Sequence, residues 1–162
     1  MRRIENLIEK AWKAEREGKL KRIGTVDWSL VEGHARTSRH CLAVAKCLHE
    51  LNMKKPSNWE FCPDSVIQEC YYAMYHRALS FLAKKGWSSE DHLGTIGKLI
   101  ELLREDRKHA EASLLGEMLD DARKLREVAR YAVYSEVLQD KVPDMLAKAE
   151  KFISDMEKVK EV

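Results

Sequence analysis

Between Cys62 and Gly86 the chain reads CPDSVIQECYYAMYHRALSFLAKKG, and the reading of this stretch decides the fold. Pro63 suits the first helical position, where a missing N–H costs nothing, and Asp64 falls in the first turn, where the helix dipole favours an anion. Gly86, directly after Lys84 and Lys85, is a helix stop. Between these ends Val66, Ile67, Cys70, Tyr71, Met74, Ala78 and Leu82 recur at helical spacing. The pattern predicts a helix with one broad apolar face packed against other helices.

The flanking sequence falls into further helical stripes. Residues 3 to 17 carry Ile4, Leu7, Ile8, Ala11 and Trp12 on one side and stop near Gly18. A second helix starts at Asp27, a suitable N-cap, and runs to about Leu51 through Val31, Ala35, Ser38, Leu42 and Ala45. A loop from Met53 to Phe61, with Pro56 and Ser57-Asn58, leads into the quoted helix. Ser88 or Ser89 is the expected cap of a fourth helix striped by Leu93, Ile96, Ile100 and Leu103. Gly94 and Gly97 inside it permit close helix packing. A fifth helix starts near His109 and passes through Leu115, Met118, Ala122, Leu125 and Ala129 to about Val137. Pro143 opens the last, whose Met145, Ala149, Phe152, Met156 and Val159 repeat as in a coiled-coil seam. No strand is predicted. Amphipathic helices with short connections bury their stripes only against each other, so the expected fold class is all-α, an antiparallel helical bundle of about five to six helices.

At 162 residues the chain is expected to be a single domain, with a basic N-terminal helix and lead-in over 1–24 and a bundle core over 27–160. Charged residues make up 35% and apolar residues 44%, with three prolines, which favours a helical soluble protein over a sandwich or a disordered chain. No apolar run reaches the roughly 20 residues that span a bilayer, and Met-Arg-Arg-Ile-Glu is not followed by the apolar core of a signal peptide. The expectation is a cytoplasmic protein without a membrane partner. Cys41, Cys47, Cys62 and Cys70 form no CxxC pair and have no histidine at zinc-finger spacing, so they read as reduced, mostly packed thiols. A net charge of +2 does not by itself argue for nucleic acid. His34, His40 and His49 share a helix without the spacing of a zinc face, and no phosphate loop, nucleophile elbow or acidic cluster occurs; neither a metal nor a cofactor is expected. The tyrosines at 71, 72, 75, 131 and 134 read as core aromatics whose hydroxyls meet a polar partner, the surface or a dimer contact.

The run Cys70-Tyr71-Tyr72-Ala73-Met74-Tyr75-His76, followed by the small-residue, leucine-rich stretch from Ala78 to Gly86, resembles the signature helix of the HEPN proteins, small prokaryotic helical bundles. Ser88-Ser89-Glu90-Asp91-His92 is similar to the polar, histidine-ended segment that opens the family's next helix. Glu17-Gly18-Lys19-Leu20-Lys21-Arg22-Ile23 is similar to the lead-in of stand-alone archaeal and bacterial members. The resemblance therefore extends over nearly the whole chain. It implies a core four-helix up-and-down bundle with an added N-terminal helix. It also implies a homodimer that works with a separately encoded minimal nucleotidyltransferase or another RNA-directed partner, in the manner of toxin–antitoxin pairs. His76 and His92 belong to the family pattern and read as hydrogen-bonded structural groups, or as nucleotide or RNA contacts.

In family members that cleave RNA, an arginine precedes a histidine by a few positions, and two copies of the pair meet across a dimer. The guanidinium stabilises charge developing on the phosphate, and the imidazole moves a proton without a metal. The matching segment here is Leu125-Arg126-Glu127-Val128-Ala129-Arg130-Tyr131. Arg126 fits the arginine, but Tyr131 stands in the histidine's place, and no histidine follows His109. A phenol with an ordinary pKa of about 10 needs a large shift to act as a base at neutral pH. Arg104 and His109 have the right spacing yet lie one helix too early, in a fully charged run that reads as a solvated turn. Arg36 and His40 fall one residue short. The leading expectation is an interaction module. The alternatives are a metal-independent endoribonuclease toxin using Arg126 with Tyr131, or Arg104 with His109, and a nucleotide-binding regulatory domain.

Overall fold

A computed structural model of the chain describes residues 1–106, 109–131 and 135–159. The described residues form α1 (Arg2–Arg16), β1 (Leu20–Arg22), α2 (Trp28–Lys54), α3 (Pro63–Lys84), β2 (Trp87–Ser89), α4 (His92–Glu105), α5 (His109–Tyr131), α6 (Ser135–Gln139) and α7 (Val142–Glu157). The architecture is the expected all-α bundle. None of the described helices is long and apolar enough to cross a membrane.

Helix α3 begins as its sequence predicts, with Pro63 in the first turn and Asp64 beside the N-terminal end of the dipole. Its burial goes further than one broad face. Val66, Ile67, Cys70, Tyr71, Ala73, Met74, Ala78 and Leu82 are fully buried, and Ser80 and Ala83 are buried as well. α2, α4, α5 and α7 all pack around it, which makes it the central helix. Apolar and small residues lie on nearly every side of α3, and a helix of that kind belongs in the interior.

The α2–α3 hairpin is held by backbone and side chain together. Asp27 caps α2 by accepting from the Ser29 and Leu30 amides, as expected, and the helix continues to Lys54. Ser38 Oγ donates to the Ala73 carbonyl at 2.6 Å and Ser80 Oγ to the Val31 carbonyl at 2.8 Å, so two buried hydroxyls tie each helix to the other's backbone.

Several expectations are corrected. A short antiparallel ribbon exists where no strand was predicted: Leu20 pairs with Ser89, Lys21 with Ser88 and Arg22 with Trp87. Strands of three residues are too short for a period-two signal to stand out, and the pairing partners are far apart in sequence. Gly86, at φ +83°, turns the chain from α3 into this ribbon, and its carbonyl accepts from the Ile23 amide at 2.8 Å. Ser88 and Ser89 are consequently strand residues. The cap of α4 is Asp91, whose carboxylate accepts from the Gly94 amide at 2.6 Å. Trp12 does not join the buried side of α1; it is 49% exposed and donates its indole N–H to Glu101. The described part of the fifth helix runs to Tyr131 and Val137 falls in α6; residues 132–134, including Tyr134, lie outside the described residues, as does residue 160 at the end of the expected bundle core.

α1 closes over α4 at very short range. A Cβ built on Gly97 would fall onto the Leu7 carbonyl and lie 2.9 Å from Ala11 Cβ. The expected close packing at this glycine is therefore a direct backbone approach. Gly97→Ala should separate α1 from α4 and destabilise the protein by about 1–3 kcal/mol, read as a lower urea midpoint; an unchanged midpoint would show that α1 contributes little.

Candidate functional site

The central position of α3 leaves buried Tyr71 and Tyr75 and half-buried His76 needing polar partners, and these partners come from different elements. Tyr71 OH lies 2.5 Å from His92 Nδ1, at the start of α4. Burial pushes the Tyr71 phenol well above its ordinary range, so it keeps its proton. Burial first, and the nearby Arg126 charge second, hold the His92 imidazole below its ordinary value, so it is neutral. Two neutral groups share this hydrogen bond in either direction, and in the tautomer where Tyr71 donates to Nδ1 the His92 proton sits on Nε2. In that tautomer His92 offers an N–H to an anion or a base edge.

His92 is fixed in orientation as well. Its ring stacks on Tyr75 with centroids 4.4 Å apart and on Tyr71 at 5.7 Å. Asp91, the α4 cap, and Thr95, which donates to the Asp91 carbonyl at 2.8 Å, shape the backbone that carries it. From α5, the Arg126 guanidinium sits 5.3 Å from the ring centroids of both Tyr71 and Tyr72. It donates to Tyr72 OH at 3.2 Å and pairs with Glu127 at 3.4 Å. Only 13% of the Arg126 side chain is exposed. A guanidinium lying on aromatic faces gains cation–π attraction and loses less to hydration than an ammonium would.

Tyr131 is placed differently. It is 74% exposed, with its ring beside Arg130. Residues five apart leave a helix about 140° from each other at 3.6 residues per turn. No hydrogen bond joins Arg126 and Tyr131 among the described residues; within one chain Arg126 meets Tyr71 and Tyr72 instead. Arg104 lies in the last turn of α4 with a buried, unpartnered Nε, and His109 is the exposed first residue of α5. No hydrogen bond joins that pair among the described residues, and Arg107 and Lys108 between them lie outside those residues.

His76 faces another partner. Its Nδ1 is 3.0 Å from His34 Nδ1 on α2, and burial lowers both imidazoles. Tyr75 bridges the two settings, edge-on to His76 at 5.9 Å and stacked on His92. The rings thus form a continuous ladder from His34 through His76, Tyr75 and His92 to Tyr71. Sequence reasoning missed His34, because its partner is far along the chain and no spacing rule connects them. The tyrosines were visible as family-pattern residues, but their assignment to His92 and Arg126 was not.

Nothing else among the described residues competes as a reactive centre. The cysteines are free, and burial raises Cys41 to about 11 and Cys70 to about 12, leaving both as unreactive thiols. No group of three or more His, Cys, Asp or Glu residues is placed to hold a metal among the described residues.

The buried central helix, the histidine-opened α4 and the arginine of α5 together define a helical-bundle protein with a polar cluster at its centre. The sequence profile of the HEPN domain matches residues 62–159, from the start of α3 to just beyond α7, and the chain belongs to the HEPN domain family. Membership supports a nucleotide- or RNA-related role in general terms. No curated protein and no solved structure matches the chain.

The imidazoles of His34, His76 and His92 all lie below the ordinary value near 6.5 in the folded state. Their contribution is fully present above pH 6.5 and is lost as pH falls through the lowered values, because the unfolded chain takes up the protons first. Thermal unfolding should show Tm falling from pH 7.5 to pH 5, with a shallower fall in His34→Gln. Equal slopes for the two proteins would remove the His34–His76 pair as a cause.

Proposed function

We propose that this HEPN protein is a homodimeric, cytoplasmic interaction module that engages RNA or a nucleotide-bearing partner through the His92–Tyr71–Arg126–Tyr72 cluster. Its partner is a separately encoded minimal nucleotidyltransferase or another RNA-directed protein, in a toxin–antitoxin-like arrangement. The observation that carries the reading is the state of Arg126 and His92. The arginine is already engaged by two tyrosines and a glutamate, and the histidine is neutral and held against Tyr71, so the cluster suits holding and orienting a ligand better than moving a proton. The partner class is supported by the kinship of the α3 helix with members that work in such pairs. The dimer is supported by apolar side chains left outside on α5: Leu114 and Val128, 49% and 59% exposed, lie about four turns apart on one side, and Tyr131 stands near its end.

The second reading is a metal-independent endoribonuclease. It is favoured by the proximity of the Arg126 charge to the His92 imidazole, which supplies a histidine beside the arginine although Tyr131 replaces the one in the sequence motif. In that reading a phosphate arriving at Arg126 changes the partner of Tyr71 and frees a basic nitrogen on His92. Arg126 with Tyr131 across a dimer, and Arg104 with His109, are the other pairs to be separated by experiment.

Purified nuclease-free protein, incubated with structured RNA in EDTA, should leave the RNA intact. Cells expressing it alone should grow normally, with no difference from Arg126→Ala. Cleavage abolished by Arg126→Ala and by His92→Ala would overturn the module in favour of the ribonuclease, and loss in Arg104→Ala alone would move the site to the end of α4. Sedimentation should give a dimer at micromolar concentration and a monomer for Val128→Glu; a monomeric wild type would remove the dimer from the proposal.

A further inference from the structure

Where α1 meets the start of α4 and the middle of α5, the surface keeps a groove of about 420 Å³. Buried Leu7 of α1 and partly buried Leu93 of α4 supply its apolar seat. Around them stand Arg2, Arg3 and Lys10 from α1 and Arg123 from α5, with Asp120 as the one carboxylate of the lining. Asp120 does not cancel these charges. It is 2% exposed and accepts from Arg3 at 2.7 Å and from Arg123 at 3.0 Å, with Lys124 at 3.2 Å, so one carboxylate is shared by three cations. The sharing fixes both guanidinium groups in place, while the Nη1 of each takes no part in those bonds. Arg3 also pairs with Asp121 at 2.6 Å. Arg2 and Lys10 are exposed and form no ion pair among the described residues.

A smaller hollow of about 160 Å³ continues the groove along α1, sharing Lys10 and Leu93 with the first and adding Lys13, Ala14 and Lys19. Its two acids are already engaged: Glu17 pairs with Lys19 at 2.7 Å and with Lys13 at 3.7 Å, and Asp91 caps α4. Arg3, Asn6, Lys10 and Lys13 follow one another at helical spacing, so they form one strip of α1. From Arg3 to Lys13 that strip is about 15 Å long, close to three turns of a helix laid beside it. Among the described residues, neither hollow is lined by an aromatic ring. A strand of RNA is held by stacking on such rings as well as by charge, whereas a leucine seat takes aliphatic side chains.

We propose that this groove docks an acidic amphipathic helix of a partner protein, with aliphatic side chains seated on Leu7 and Leu93 and carboxylates facing Arg2, Lys10 and the outer edges of Arg3 and Arg123. A positive rim around an apolar seat favours a segment whose acids flank its aliphatic anchors, and it repels a basic segment of the same shape. The apolar seat supplies affinity, and the exposed rim supplies selectivity and encounter rate. The inference goes beyond the function proposed above and uses none of His92, Tyr71, Arg126 and Tyr72, so either can fail without the other.

The test is fluorescence anisotropy of labelled helix-forming peptides of about 14 residues with the full-length protein. The probe carries leucines at helical spacing with glutamate and alanine between them; one comparison peptide replaces glutamate by lysine, a second replaces leucine by serine, and oligouridine is the fourth probe. The leucine–glutamate peptide should saturate at micromolar concentration, about tenfold or more tighter than either comparison peptide, and weaken as salt is raised. Lys10→Glu, an exposed and unpaired site, should weaken it about fivefold or more, whereas Lys54→Glu, the same charge change at the far end of α2, should leave it unchanged. Failure of the leucine–glutamate peptide to saturate at millimolar concentration overturns the proposal, as does undiminished binding by Lys10→Glu. Equal binding of the serine–glutamate peptide marks a general polyanion surface and also overturns it. Oligouridine binding that depends on Lys10 and exceeds that of the peptide assigns the groove to RNA and overturns the protein partner.

Discussion

Burial of α3 on nearly every side is the constraint from which the rest of the structure follows. A helix inside a bundle satisfies its own backbone, but its polar side chains must find partners in the helices around it. Ser38 and Ser80 settle this between α2 and α3 by donating to backbone carbonyls. Tyr71 and Tyr75 settle it toward α4, and Tyr72 toward α5. His76 turns back to α2 and meets His34. Arg77 reaches toward α7, where Nη2 pairs with Glu157 at 3.3 Å while Nε stays buried without an acceptor.

The same constraint sets the chemistry of the central cluster. Desolvation raises Tyr71 and lowers His92, so both groups stay neutral. The Arg126 guanidinium lies across tyrosine rings, and its field reinforces the neutral state of His92. The peripheral ion pairs serve a different purpose. Asp120, buried on α5, accepts from Arg3 at 2.7 Å and from Arg123 at 3.0 Å, anchoring the basic N-terminal helix to the bundle. Lys98 does the same from α4 by pairing with Glu15 and Glu101.

Much of the fold was legible along the chain because helical periodicity is a local property. The boundaries set by Asp27, Pro63 and Pro143 were readable for the same reason, since capping and the fixed φ of proline act within a few residues. The β1–β2 ribbon was not readable, because its pairing joins residues 20–22 to 87–89 and neither segment is long enough to show a period. The cap of α4 was misplaced for a related reason: both serines are good caps in isolation, and the ribbon takes them away from the helix end.

The sequence by itself determined that the chain is an all-helical bundle centred on the Cys62–Gly86 stretch, and its Tyr-Tyr-Ala-Met-Tyr-His pattern determined the family resemblance. These are matters of spacing and composition, which a linear chain records directly. Only the tertiary structure decided which polar groups meet. Arg126 was legible as a candidate from its position in the motif, but its partners Tyr71, Tyr72 and His92 come from two other helices. His34 and His76 find each other, and Arg77 finds Glu157, for one physical reason: packing angles and burial are settled by all the helices at once, and a contact between distant residues leaves no period in the sequence.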